Sequence, residues 1–145
     1  MSFLKANDQV YFSGQLNAAD VKEAARMGVK AIVCARPDDE DPRDMSFAQV
    51  KDLFVKEGGQ AAAHIPVSMP ALDAAAAAKL GDFLAQNPGP CLMYCKSGMR
   101  AATMWLMSRA LKGEDPAKLV QEGAALGYDA GVLGKKIALA AKSAK

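Results

Sequence analysis

The chain has a single histidine, a single tryptophan, three cysteines and no apolar run long enough to cross a bilayer. Each scarcity removes a class of function. With only His64, a Ser-His-Asp or Cys-His mechanism must use that residue or do without it. Cys34, Cys91 and Cys95 are odd in number and lack the spacing of metal ligands, so neither a disulfide framework nor a zinc site is expected, and a reducing cytoplasm fits best. The opening residues MSFLKANDQ have no basic start followed by an apolar stretch, so no signal peptide is expected. A formal net charge of +2 is too small to point to nucleic acid or a membrane surface as partner. Lys135, Lys136, Lys142 and Lys145 gather near the C-terminus and read as a solvated helix face. No repeat, linker or low-complexity tail divides the chain, and 145 residues, about half of them apolar, suit one domain over residues 1–145.

What is present is an alternation of short apolar runs with helical segments. Val10–Ser13 reads as a strand. Asn17 caps a helix over Ala18–Met27 that stops at Gly28. Ala31–Cys34 is apolar without alternation, as a strand covered on both faces should be. Ser46 caps a helix carrying Val50, Leu53 and Phe54 on one face. Ala61–Ile65 is a third strand, Ala71–Gln86 a helix, and Cys91–Tyr94 a fourth strand. Helices follow over Arg100–Leu111, Pro116–Leu126 and Ala130–Ala141. Strands alternating with helices imply parallel pairing, with ligands beyond the carboxyl ends of the strands. The expected architecture is a three-layer α/β fold with a mainly parallel, four- to five-stranded sheet between helices.

Cys95-Lys96-Ser97-Gly98-Met99-Arg100 leaves a buried strand and enters a helix. Gly98 permits backbone angles that let successive N–H groups turn inward as an anion nest. The helix adds its positive end. A cysteine in that field is favoured as thiolate, and Arg100 can hold two oxygens of an anion at once. Cys95 and Arg100 are therefore the candidate catalytic residues. Lys96, Ser97, Gly98 and Met99 are candidates for anion binding, and so is Arg36, which follows a neighbouring strand. Arg36 has an alternative role, tying down the acidic loop through Asp38 or Asp39. The reading requires no cofactor and no metal.

Leu92–Ala101 resembles the Y-C-R-S-G-x-R-S loop of single-domain rhodaneses. Tyr11–Leu16, Ala31–Asp38 and His64–Val67 resemble another family, the phosphatase-like domain of beta-lactamase hydrolase-like proteins. That second resemblance spans at least residues 10–112. It implies the dual-specificity (cysteine) phosphatase fold and, since the family is sometimes fused to sulfur-oxidising metallohydrolase domains, a sulfur-metabolism partner enzyme.

Two details separate the activities these resemblances imply. Tyrosine phosphatases carry Cys-x5-Arg, whereas four residues separate Cys95 from Arg100. A shorter loop makes a tighter bowl, better matched to one sulfur than to three phosphoryl oxygens. Dual-specificity phosphatases also carry an aspartate upstream as general acid, and His64–Pro70 has no carboxylate. Lack of an acid costs ester cleavage about 10²–10⁴ in rate. The leading expectation is therefore a sulfurtransferase working through a Cys95 persulfide on thiosulfate or a small persulfide. The alternatives are a phosphatase working through a Cys95 phosphocysteine, with an acid from the Asp38–Asp41 cluster, and a non-catalytic anion-binding or interaction module. In each case the partner is a small anion.

Among the other residues, Cys91 lies roughly 13 Å along the strand from Cys95, too far for a disulfide. Cys34, on an adjacent strand, is a core residue or a resolving thiol. His64 is read as a core or capping residue, with a substrate-facing role as its alternative. Asp73 is read as a carboxylate at a helix start, and Tyr94 and Trp105 as packing residues.

Overall fold

The computed structural model describes residues 3–144. Met1, Ser2 and Lys145 lie outside the described residues, so the reading of the first two residues and of Lys145 is not addressed by it.

The chain runs β1 (Leu4–Asn7), β2 (Val10–Ser13), α1 (Ala18–Arg26), β3 (Ala31–Cys34), a 3₁₀ turn (Asp38–Glu40), α2 (Phe47–Lys56), β4 (Ala61–His64), α3 (Ala74–Gln86), β5 (Cys91–Tyr94), α4 (Met99–Leu111), α5 (Pro116–Ala125) and α6 (Ala130–Ser143). The five strands lie in the order β1-β2-β5-β3-β4, all parallel except β1 against β2. Strand β1 lacks a periodic signal because Leu4–Asn7 is an edge strand with no buried residue. It is held by pairing Leu4 with Phe12 and Lys5 with Tyr11, and Asn7 Oδ1 shapes the turn by accepting from Gln9 N–H at 2.8 Å.

Local chemistry sets the helix ends. Asn17 and Asp20 form a capping box on α1, and Ser46 and Gln49 form one on α2. Helix α3 begins at Ala74, three residues later than expected, because Asp73 is its cap and accepts from Ala76 N–H at 3.0 Å. Helices α1 and α2 cover one face of the sheet through Val21, Ala24, Val50 and Phe54, which pack with Ile32, Cys34, Leu92 and Tyr94. Helices α3 to α6 cover the other face, where Val33, Met93 and Cys95 meet Leu80, Leu106 and Ile137. Helix α4 is buried from Ala101 to Ser108, as a helix enclosed on all sides must be.

Register brings the functional edge together. Ser13, Tyr94, Cys34 and His64 form one row across β2, β5, β3 and β4. The residues that follow them therefore leave the sheet side by side, above the central strand. No helix among the described residues is long and apolar enough to cross a membrane. No group of three or more His, Cys, Asp or Glu among them is placed to hold a metal ion.

Candidate active site

The central strand β5 delivers Cys95, which is fully buried. Its N–H continues the ladder to Ser13 O at 3.3 Å. The chain then turns at Gly98, whose φ of 93° lies in the left-handed region that other residues avoid. That turn aims Gly98 N–H at Cys95 Sγ, 3.0 Å away. The same glycine caps α4, its carbonyl accepting from Ala102 N–H at 3.0 Å. The sulfur thus has an N–H donor and a helix N-terminus beside it, and both favour negative charge there. The donor that reaches it is Gly98 N–H. Ser97 is exposed, and Met99 opens α4 half-buried.

Arg100 lies one position into α4. Both its terminal nitrogens donate to Glu40, with Nη2 at 2.8 Å from Oε1, and Nη1 also donates to Val67 O at 2.9 Å. The guanidinium thus holds a carboxylate in a two-pronged grip, the geometry in which it would hold two oxygens of a bound oxyanion. This pairing raises the arginine's pKa and lowers that of Glu40. Lys96 reaches the same acidic loop, with Nζ 2.9 Å from Asp44 and 3.4 Å from Asp41. The Arg43 guanidinium beside Asp41 holds that carboxyl well below the usual range. Residues 38–44 therefore form a flap of carboxylates bound to both basic side chains of the loop.

Arg36 is only 3% exposed and anchors this flap. Its Nη1 donates to Gln15 Oε1 at 2.7 Å and to Asp44 Oδ2 at 2.8 Å, and its Nε lies 3.2 Å from Glu40 Oε1 without hydrogen-bond geometry. All these contacts are within the chain, so Arg36 ties the acidic loop, through Glu40 and Asp44 rather than the expected Asp38 or Asp39. Asp38 instead caps α2, accepting from Phe47 N–H at 2.8 Å. His64 stacks on Phe47 with ring centroids 4.8 Å apart, and its Nε2 lies 2.7 Å from Arg36 O. It supports Arg36 from below.

The remaining cysteines lie away from this chemistry. Cys34 and Cys95 belong to opposite faces of the sheet, Cys34 with the α1–α2 core and Cys95 with the α3–α6 core. Burial raises the Cys34 thiol and pushes Cys91 up to about 12. The Tyr94 hydroxyl is buried without a hydrogen-bond partner. Trp105 packs edge-on against Phe12 at 5.5 Å.

Two contributors escaped the sequence reading, and a third, Glu40, was offered only as one acid of the Asp38–Asp41 cluster. Gly14 lets the β2–α1 turn press on the loop. Tyr128, between α5 and α6, brings its hydroxyl against Gly98. Only Gly14, directly after a strand, carried a local signal.

A family model for the phosphatase-like domain of beta-lactamase hydrolase-like proteins matches residues 3–112. A beta-lactamase hydrolase-like protein of Agrobacterium fabrum (strain C58) is 30% identical over 130 residues, covering 89% of this chain but only 30% of that protein. This chain thus spans less than a third of that relative's length. A crystal structure of a provisionally named phosphatase from Neisseria meningitidis superposes with a TM-score of 0.82 at 28% identity, covering 97% of this chain and 99% of that one. The core catalytic domain of the PP-IP phosphatase SIW14 from S. cerevisiae shares the fold, with a TM-score of 0.68 at 16% identity over 94% of this chain and 83% of that one. The fold is that of the cysteine phosphatases, and the chain belongs to the family of the phosphatase-like domain of beta-lactamase hydrolase-like proteins.

Proposed function

We propose that the chain is a cysteine phosphatase that cleaves phosphoryl monoesters through a Cys95 phosphocysteine. The observation that carries this reading is the pairing of a buried, N–H-bonded Cys95 sulfur with an Arg100 already gripping an oxyanion. Family and fold point the same way. Sulfur transfer, the leading expectation from sequence, therefore yields first place. Its argument rested partly on the lack of a carboxylate in His64–Pro70, and the flap brings carboxylates to the loop from the other side.

In the proposed mechanism the phosphoryl group enters the nest and takes the Arg100 grip from Glu40. The thiolate attacks phosphorus, the sulfur–phosphorus bond forms and the ester P–O bond breaks. Glu40, freed from the cation that lowers its pKa and now beside a dianion, takes up a proton from solvent and gives it to the leaving oxygen as the P–O bond breaks. Water then attacks the phosphocysteine, returning a proton to Glu40 and releasing inorganic phosphate and the thiolate.

The test is to incubate the protein with an aryl phosphate whose ring carries no charge, and separately with thiosulfate and cyanide, and to weigh the intact protein in each. Phosphate release lost in Cys95→Ser, with a transient gain of a phosphoryl mass, is expected. Sulfur transfer is the second reading, favoured by the four-residue Cys95–Arg100 spacing. A stable persulfide with thiocyanate release and no phosphate would put it first. Anion binding without turnover in either assay would leave a recognition module.

A further inference from the structure

A cavity of about 350 Å³ opens beside the loop, away from the flap, and shares Ser97 with it. Its other walls are Leu4 from β1, Phe12 and Ser13 from the end of β2, Gln15 and Tyr128. It adjoins the chemistry closely. The Tyr128 hydroxyl lies 3.0 Å from where a Cβ on Gly98 would stand, and Gly98 N–H is the group bonded to the nucleophilic sulfur. On the opposite flank, Glu40, Asp41 and Asp44 are bound to Arg100 and Lys96. A ligand whose phosphoryl group lies in the nest therefore has its open approach over the Ser97 shoulder, across this cavity.

We infer that this cavity seats the organic part of the substrate monoester, and that this part is a compact, uncharged group contacted by Leu4 and the Tyr128 ring, with the Tyr128 hydroxyl as hydrogen-bond donor. The inference rests on the phosphatase reading and adds the class of substrate. Three observations support it. Among the described residues, no charged side chain lines the cavity, so nothing there would compensate a second anionic group. Glu40, Asp41 and Asp44 already pair with Arg36, Arg43, Lys96 and Arg100, so the flap side offers a polyanion no surplus of positive charge. The volume is at the small end of ligand pockets and suits a single ring or its equivalent. Tyr128 also stays neutral, because burial, reinforced by Cys95, pushes its phenol up to about 12. Its ring is set edge-on to Phe12, with centroids 6.2 Å apart. That contact holds the wall in place before any ligand arrives.

Binding separates this inference from the reading beneath it. Inorganic phosphate, phenylphosphonate and inositol hexakisphosphate are titrated by calorimetry into the full chain and into Tyr128→Ala and Leu4→Glu. Leu4 is exposed on an edge strand, so the second variant remains informative if the first does not fold. Phenylphosphonate should bind at least about tenfold more tightly than phosphate, because the ring loses apolar surface to the cavity. Inositol hexakisphosphate should bind no better than phosphate. Leu4→Glu should lose most of the phenyl preference while keeping phosphate affinity within about twofold, and Tyr128→Ala, if it folds, should lose that preference as well. Equal binding of phosphate and phenylphosphonate, a preference that survives both substitutions, or tight binding of the hexakisphosphate overturns the inference and leaves the phosphatase reading standing. Failure of the chain to bind any of the three removes that reading as well.

Discussion

Gly14 and Lys96 approach so closely that a methyl group on Gly14 would lie 2.9 Å from the Lys96 carbonyl oxygen. The β2–α1 turn rests on the back of the nucleophile loop at this point, and Gln15 N–H reaches the same carbonyl at 3.4 Å. Gly14→Ala must push backbone against backbone, and such overpacking costs about 1–3 kcal/mol. The displaced group is part of the anion nest, so activity should suffer more than stability. Steady-state turnover of an aryl phosphate should fall at least about tenfold while the thermal midpoint drops by only a few degrees. Unchanged kcat/KM would mean that the turn merely lies near the loop.

Glu40 stands on Arg100 in the resting protein and serves as acid in the proposed mechanism. Glu40→Gln should leave good leaving groups almost unaffected and slow poor ones by about 10²–10⁴. The steepened dependence of kcat on leaving-group pKa is the diagnostic. If Glu40 only orients Arg100, every substrate should instead lose similarly, mostly through KM.

The flap also sets a direction for acid stability. Arg100 lowers the Glu40 pKa, Arg43 that of Asp41, and Arg36 followed by Lys96 that of Asp44. Carboxyls depressed in the folded state contribute stability that is present above their unfolded pKa of about 4. They lose it as pH falls through the depressed values, because the unfolded chain then takes up protons first. The thermal midpoint should be nearly flat between about pH 5 and 7 and fall below about pH 4. Glu40→Gln should make that acid fall shallower. A midpoint that rises on acidification would contradict the flap's ion pairs.

The nest was readable from sequence because it is six consecutive residues, and its geometry depends on a glycine whose φ of 93° only that residue adopts easily. The caps Asn17 and Ser46 were readable for the same reason, since each bonds within three residues of itself. Strand β1 was not, because Leu4–Asn7 has only Ala6 partly buried and owes its conformation to β2. The partners of Arg36 were misjudged because two local effects compete for the acids. The 3₁₀ turn folds Glu40 back over Arg36, while the N-terminus of α2 claims Asp38. Cys34 is separated from Cys95 by parity: the register sets it level with Tyr94, and the next residue on β5 faces the other way. Tyr128 arrives from a loop two helices downstream, a long-range placement that no local pattern signals.

Arg36 gives the last test, because its burial distinguishes an anchor from a substrate ligand. Its guanidinium joins Gln15 of the β2–α1 turn to Asp44 of the flap, so one side chain ties together two segments that touch the nucleophile loop. Arg36→Met keeps most of the apolar stem and removes those bonds, and hydrogen bonds to charged groups are worth about 1.5–3 kcal/mol. Stability should fall by about 2 kcal/mol, and hydrogen exchange should quicken in residues 38–44 and around Gln15. Phosphate affinity should change only modestly, because Arg100 and the nest remain. A variant of unchanged stability that no longer binds phosphate would make Arg36 a direct ligand of the anion and not the anchor its contacts describe.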